Sequence, residues 1–186
     1  MKLFVCGYAR SGKDHAGEYL RKAMGLEFES SSYFAAKKFI FEYMNNNGYN
    51  YKTLEDCFKD RRNNRKLWYD LITDYNKVDL TSLSEAIFKE NDAYIGLRNY
   101  KELAAAKLRW DDCVVIWIDA SGRIEAESTE SCTVYKDQAD FVVENKSGIV
   151  EFDKKLSKLA MFMKPTKDLE YVAKRTANIL WNTPLD

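Results

Sequence analysis

The residues with the clearest chemical potential are Gly7-Tyr8-Ala9-Arg10-Ser11-Gly12-Lys13-Asp14, directly after the apolar run Leu3-Phe4-Val5-Cys6. They follow the pattern G-x-x-x-x-G-K-[ST], with Asp14 where a hydroxyl is expected. Gly7 and Gly12 can take backbone angles closed to other residues and let the chain approach an anion closely. The amides between them can turn inward as a nest for negative charge. A helix opening near Gly12 adds unsatisfied N–H groups and the positive end of its dipole. Lys13 supplies a mobile point charge for terminal phosphates. Arg10 and Ser11 add charge and a hydroxyl at the rim. The bland alternative is an ordinary turn between strand and helix. Context favours a phosphate loop, because Ala16, Tyr19, Leu20 and Ala23 follow at helical spacing.

Asp14 admits two readings. A carboxylate at this place can hold Mg²⁺ directly or through water, since that ion prefers oxygen ligands and keeps several waters. It also suits the first turn of a helix through the dipole alone. His15, the single histidine, is either close to the phosphates or a helix-surface residue; phosphoryl transfer needs no histidine base.

Three charged constellations follow. Arg61, Arg65, Trp68 and Ile72 have helical spacing and are expected on one helix face, with Tyr69 beside them. Guanidinium groups next to an indole suit a phosphate with an adjacent base. A solvated basic face, anchored to the core by Trp68 and Ile72, fits the spacing equally. Arg98 ends a predicted central strand, Tyr94-Ile95-Gly96-Leu97, and either emerges at the ligand-binding edge or pairs with Glu102. Asp119-Ala120-Ser121-Gly122-Arg123, then Glu125 and Glu127, follow another strand. A loop there could bring Arg123 to a transferring phosphoryl group, and Asp119 could serve as a metal ligand. Asn76-Lys77-Val78-Asp79 spells a guanine-reading motif, but its order relative to Asp119–Gly122 is reversed and it follows a helical segment, so a GTPase switch is set aside.

The elements that must position these groups read as a buried parallel sheet with helical crossovers. Strands are expected at Leu3–Cys6, Ala93–Leu97, Cys113–Ile118 and Phe141–Glu144, with a weaker one near Leu26–Glu29. A long helical stretch, about 33–90, forms an insert suited to a second substrate, and about 119–138 form a lid-like region. Thr53 with Asp56, and Ser82 with Glu85, look like helix-starting caps. Phe152, Leu156, Leu159 and Met163 share a helical face, and a last helix is expected after Pro165 with Leu169, Val172, Thr176 and Ile179. The fold class expected is α/β: a three-layer P-loop fold with a parallel sheet of about five strands, in one domain of 186 residues.

Composition narrows the partners. Twenty-nine basic and 29 acidic residues cancel, so no global field draws nucleic acid or anionic membrane. No window approaches a membrane span, and the apolar run after Lys2 is too short for a secretory signal. Cys6, Cys57, Cys113 and Cys132 show no C-x-x-C pairing, so reduced thiols in a cytoplasm are expected.

In these residues the chain resembles the phage-type deoxynucleoside monophosphate kinases and their adenylate-kinase-like relatives. The resemblance is carried by Gly7 to Asp14, Tyr33-Phe34-Ala35-Ala36-Lys37-Lys38, Asp60-Arg61 with Asn63, Arg65, Trp68 and Tyr69, and Tyr75-Asn76. Tyr94, Gly96, Arg98 and Glu102, Trp117 to Arg123, and Ala139-Asp140 with Asn145 continue it, over about residues 1–160. Members often place Thr directly after the Asp, where this chain has His15. The resemblance implies transfer of the ATP γ-phosphoryl group to a nucleoside monophosphate, with Mg²⁺. Gly7, Arg10, Ser11, Gly12, Lys13, Asp14 and His15 would hold ATP and metal, and Asn145 would lie near the adenine. Phe34, Lys38, Arg61, Arg65, Trp68, Tyr69 and Arg98 would line the monophosphate site, and Arg123 would belong to a lid. Lys13, Arg98 and Arg123 would offset charge during transfer. A homodimer is left open, and the setting implied is the cytoplasm, that of a host if the chain is of phage origin. The competing readings are a P-loop kinase of another small phosphorylated metabolite, since similar loops occur in a phosphomevalonate kinase group, and a catalytically silent nucleotide-binding module.

Overall fold

The computed structural model describes residues 1–127 and 132–163. The helix expected after Pro165 and part of the expected lid lie outside the described residues. Five strands form one parallel sheet: β1 (Lys2–Cys6), β2 (Phe28–Ser30), β3 (Ala93–Ile95), β4 (Cys113–Asp119) and β5 (Phe141–Glu144). Their order is β2-β3-β1-β4-β5, so the strand that feeds the phosphate loop is the middle one. Leu3 pairs in register with Ala93 on one side and Val114 on the other.

Side chains alternate along each strand, and the two faces bury separate cores. Leu3, Val5, Ala93, Ile95, Ile116, Ile118 and Val143 face α1 (Lys13–Met24) and α8 (Ile149–Met163), meeting Ala16, Leu20, Phe152, Leu156 and Leu159. Phe4, Cys6, Tyr94, Val115 and Trp117 face the other way. There they meet Leu83, Ile87 and Phe88 of α6 (Ser82–Phe88), and Leu103 and Ala106 of α7 (Tyr100–Arg109). Each large side chain removed from water contributes about 1.5–3 kcal/mol. The molecule is therefore a three-layer α/β P-loop fold, helices on both faces of a parallel sheet, as the spacing of apolar runs predicts.

The stretch from β2 to β3 is not one long helix. Helix α2 (Ser31–Ala35) runs through a π-helical turn at Ala36–Ile40 into α3 (Phe41–Asn46), followed by α4 (Leu54–Asp60), α5 (Arg65–Tyr75) and α6. A third core of Ala35, Ala36, Ile40, Met44, Cys57 and Trp68 holds this region together. Thr53 caps α4 as expected, its hydroxyl accepting from the Asp56 N–H at 3.1 Å. The cap expected at Ser82 is displaced by one residue. Thr81 holds that place, and its own N–H and hydroxyl are taken by Asp79 at 2.8 and 2.7 Å. The weak second strand begins later than expected, at Phe28, because Gly25 ends α1 in a left-handed turn and the chain needs Leu26 and Glu27 to reach the sheet.

Candidate active site

The parallel strands deliver their following loops to one edge, where α/β proteins bind ligands. β1 delivers the phosphate loop, β3 delivers Arg98, β4 delivers the turn from Ala120 to Arg123, and β5 delivers Asn145. The loop is strongly curved: Gly7, Arg10 and Gly12 have φ of 143°, 62° and 100°. Two of these positions tolerate nothing larger than glycine. A Cβ on Gly7 would lie 2.8 Å from the Ile118 carbonyl and from Ser11 Oγ; one on Gly12 would lie 2.6 Å from Asn145 Nδ2.

Lys13 opens α1 and folds back over its own loop, donating to the carbonyls of Gly7 at 2.7 Å and Tyr8 at 2.6 Å. Burial, reinforced by the Arg98 charge, brings its pKa down to about 8, with Asp14 and Glu127 pulling the other way. Ser11 Oγ is buried and makes no hydrogen bond, an orphaned hydroxyl in the loop's interior. Asn145 Nδ2 donates to the Ser11 carbonyl at 2.8 Å, while its backbone N–H donates to the Asp119 carbonyl at 2.7 Å. Arg10 and Asp14 are exposed at the rim. His15 is held by α8: its Nε2 lies 2.6 Å from Asp153 Oδ1 and its ring packs on Phe152.

Of the two places open to Arg98, the structure takes the strand edge beside the phosphate loop. Arg98 does not pair with Glu102; its Nη1 donates to Glu127 Oε1 at 2.8 Å. Glu102 is turned into the core, where burial pushes its carboxyl up to about 7. The Asn76 side chain pulls it the other way. Arg123 Nε donates to the Asn145 carbonyl at 2.9 Å, which sets it beside the loop after β5 and makes it a neighbour of Asn145. Asp119 is engaged by Ser121 N–H at 2.8 Å and Lys146 Nζ at 3.3 Å.

The single basic face expected from Arg61 to Ile72 is broken. The chain turns between α4 and α5, so Arg61 and Arg65 lie on different elements. The Arg61 guanidinium stacks 4.1 Å over Phe58. Burial lowers its pKa and the Asp14 charge raises it, with Arg98 and Arg65 also within electrostatic reach. Arg61 thus shares one field with the phosphate loop. Arg65 and Tyr69 are exposed on α5. Trp68 and Phe34 are each 4% exposed and packed in the cores. Lys38 lies on the π-helical turn and lines an open groove of about 350 Å³ with Phe39, Glu42, Tyr43 and Tyr75, in which no phosphate-loop residue takes part.

Sequence reasoning missed Glu127 as a site residue. Its Oε2 accepts from the Ala9 N–H at 2.7 Å, in the middle of the phosphate loop. Nothing in the spacing of two residues 118 apart could have signalled it.

No family model matches this sequence, and no curated protein matches it. Among solved structures, the chain is similar to shikimate kinase from Aquifex aeolicus at 19% identity and a TM-score of 0.46, covering 87% of this chain and 96% of that one. It is similar to a gluconokinase from Sinorhizobium meliloti at 13% identity and 0.45, covering 87% and 94%. For dephospho-CoA kinase from Campylobacter jejuni the values are 15% and 0.45, covering 87% and 96%. No helix among the described residues is long and apolar enough to cross a membrane.

Proposed function

We propose that this protein is an ATP-dependent P-loop kinase whose acceptor is a nucleoside or deoxynucleoside monophosphate. The observation that supports the reading is that Arg61, from the helical region between β2 and β3, lies within electrostatic reach of Asp14 and Arg98 at the phosphate loop. The phosphate loop thereby has a cation from a separate element within its field. Two anionic groups held against each other are what phosphoryl transfer between nucleotides requires.

In this reading the phosphate loop and Lys13 hold the donor phosphates, and the Asn145 loop with Arg123 forms the base side. Arg61, helped by Arg65, holds the acceptor phosphate, with Arg98 between the two. An acceptor oxygen attacks the γ-phosphorus in line, the bond to the β-phosphate oxygen breaks, and Lys13 and Arg98 offset the charge on the transferring group. Among the described residues, no group of three or more His, Cys, Asp or Glu is placed to hold a metal. A single carboxylate, Asp14 at the rim of the loop, does fit Mg²⁺ arriving on the nucleotide, since this ion needs only one or two carboxylates beside phosphates and water. Asp14 would hold it and the orphaned Ser11 hydroxyl would lie close by. Its chemistry would be neutralisation of phosphate charge.

A kinase of another small phosphorylated metabolite is the second reading. The burial of Trp68 favours it, because the indole expected to stack on a base is packed in a core. A coupled assay with ATP·Mg²⁺ and a panel of ribo- and deoxynucleoside monophosphates tests both. Turnover with at least one, lost on Lys13→Ala, supports the nucleotide kinase. ATP binding without turnover on any of them defeats it.

A further inference from the structure

Glu127 has no part in the transfer just described, yet its carboxylate sits where the loop would hold an anion. One oxygen takes the Ala9 N–H at 2.7 Å and the other takes Arg98 Nη1 at 2.8 Å. The side chain is 13% exposed. Burial on its own would raise its pKa, but the hydrogen bond and charge of Arg98, then Ala9 and Lys13, hold it below the ordinary value. A backbone amide of a phosphate nest and an arginine at the sheet edge are the donors a phosphoryl group uses. Here they close on two oxygens of one planar carboxylate. A plain ion pair would need Arg98 alone; the second oxygen on a loop amide is what marks the position.

We propose that the Glu127 carboxylate is a resident anion of the phosphate site, an internal stand-in for a terminal phosphoryl group that a nucleoside triphosphate must displace. This rests on the nucleotide-binding reading of the loop. With Glu127 in place, the Ala9 N–H is satisfied and Arg98 is oriented at the loop in the absence of ligand. Entry of a triphosphate exchanges one anion for another, and apparent affinity is reduced by the fraction of molecules in which the carboxylate still occupies the site. A diphosphate, one phosphoryl group shorter, competes with Glu127 less. The contact therefore sets the balance between triphosphate and diphosphate binding.

The test is calorimetry on the full chain with ATP, ADP and tripolyphosphate, without acceptor, for the native protein and Glu127→Gln. The variant is expected to bind ATP and tripolyphosphate at least about fivefold more tightly, with ADP changed by less than about twofold. Native protein that binds ATP, beside a variant whose ATP affinity is unchanged or weaker, overturns the proposal. Equal tightening for ATP and ADP overturns it too. Native protein that binds neither ATP nor tripolyphosphate defeats the reading of the loop itself and this proposal with it. If Glu127→Gln does not fold, Glu127→Asp replaces it. That side chain keeps the charge but is one methylene too short to meet both donors, so the same tightening is expected and the same failure overturns.

Discussion

Asn145 and Ser11, 134 residues apart, are joined by a hydrogen bond of 2.8 Å from the Asn145 amide to the Ser11 carbonyl. The bond ties the end of β5 to the phosphate loop, and Asn145 is buried. It also explains Gly12, since a side chain there would strike the same amide.

Asn145→Ala removes a buried donor and leaves the Ser11 carbonyl without its partner, at a cost of about 1–3 kcal/mol. The expected result is a lower melting temperature and several-fold weaker ATP binding, with the acceptor KM little changed. Thermal denaturation and calorimetry read the first two. An acceptor KM that rises more than the ATP Kd would place Asn145 on the wrong side of the site.

Arg61 and Arg65, expected to act alike from their spacing, are now predicted to differ. Loss of a charge-assisted contact costs about 1.5–3 kcal/mol, or roughly 10- to 100-fold in KM. Arg61→Ala is expected to raise the acceptor KM by that amount at saturating ATP, and Arg65→Ala by much less. Equal small effects would reduce Arg61 to a cation stacked on Phe58.

Trp68→Ala empties part of the third core and is expected to cost about 3–5 kcal/mol of stability. Trp68→Phe keeps most of that packing. Its acceptor KM should match that of the native protein; a large rise would show that the indole does reach the substrate.

Glu102 makes stability depend on pH. Its folded pKa, about 7, lies above the ordinary 4.5. The folded state therefore holds the proton more tightly, and the stability from this group is complete below about pH 4.5. It is lost as pH rises toward 7 and is flat beyond, a change on the order of 3 kcal/mol. Glu102→Gln removes the titrating proton. Denaturant midpoints at pH 5 and pH 8 should show the variant gaining on the native protein at the higher pH; an equal difference at both would contradict the assignment.

Much of the fold was legible because it rests on local patterns. Leu3–Cys6 and Phe141–Glu144 announce strands through apolar runs between turns, and Gly7 to Asp14 announce the phosphate loop through residue type and spacing. What was not legible depends on where distant segments meet. Nothing local distinguishes Trp68 as a core residue from Trp68 as a stacking surface, because both uses require the same helical period. The break after Asp60 was hidden for a related reason. The Asp60 carboxylate accepts from Asn63 and Asn64 at 2.6 and 2.7 Å where α4 ends, while Arg61 and Arg65 after it keep helical spacing. Sequence offers Glu102 as a partner for Arg98 and places Glu127 only in the segment after Asp119; tertiary packing assigns the first to the core and the second to the phosphate loop.

The middle position of β1 divides the sheet into two halves. Residues 31–92 are one continuous stretch joining β2 and β3, the two strands on one side of β1, whereas β4 and β5 lie on the other. In the proposed kinase, substitutions in the first stretch change the acceptor side, while the strands, helix and asparagine that brace the phosphate loop stay as they are. The two sides of the site can therefore be altered separately by substitution.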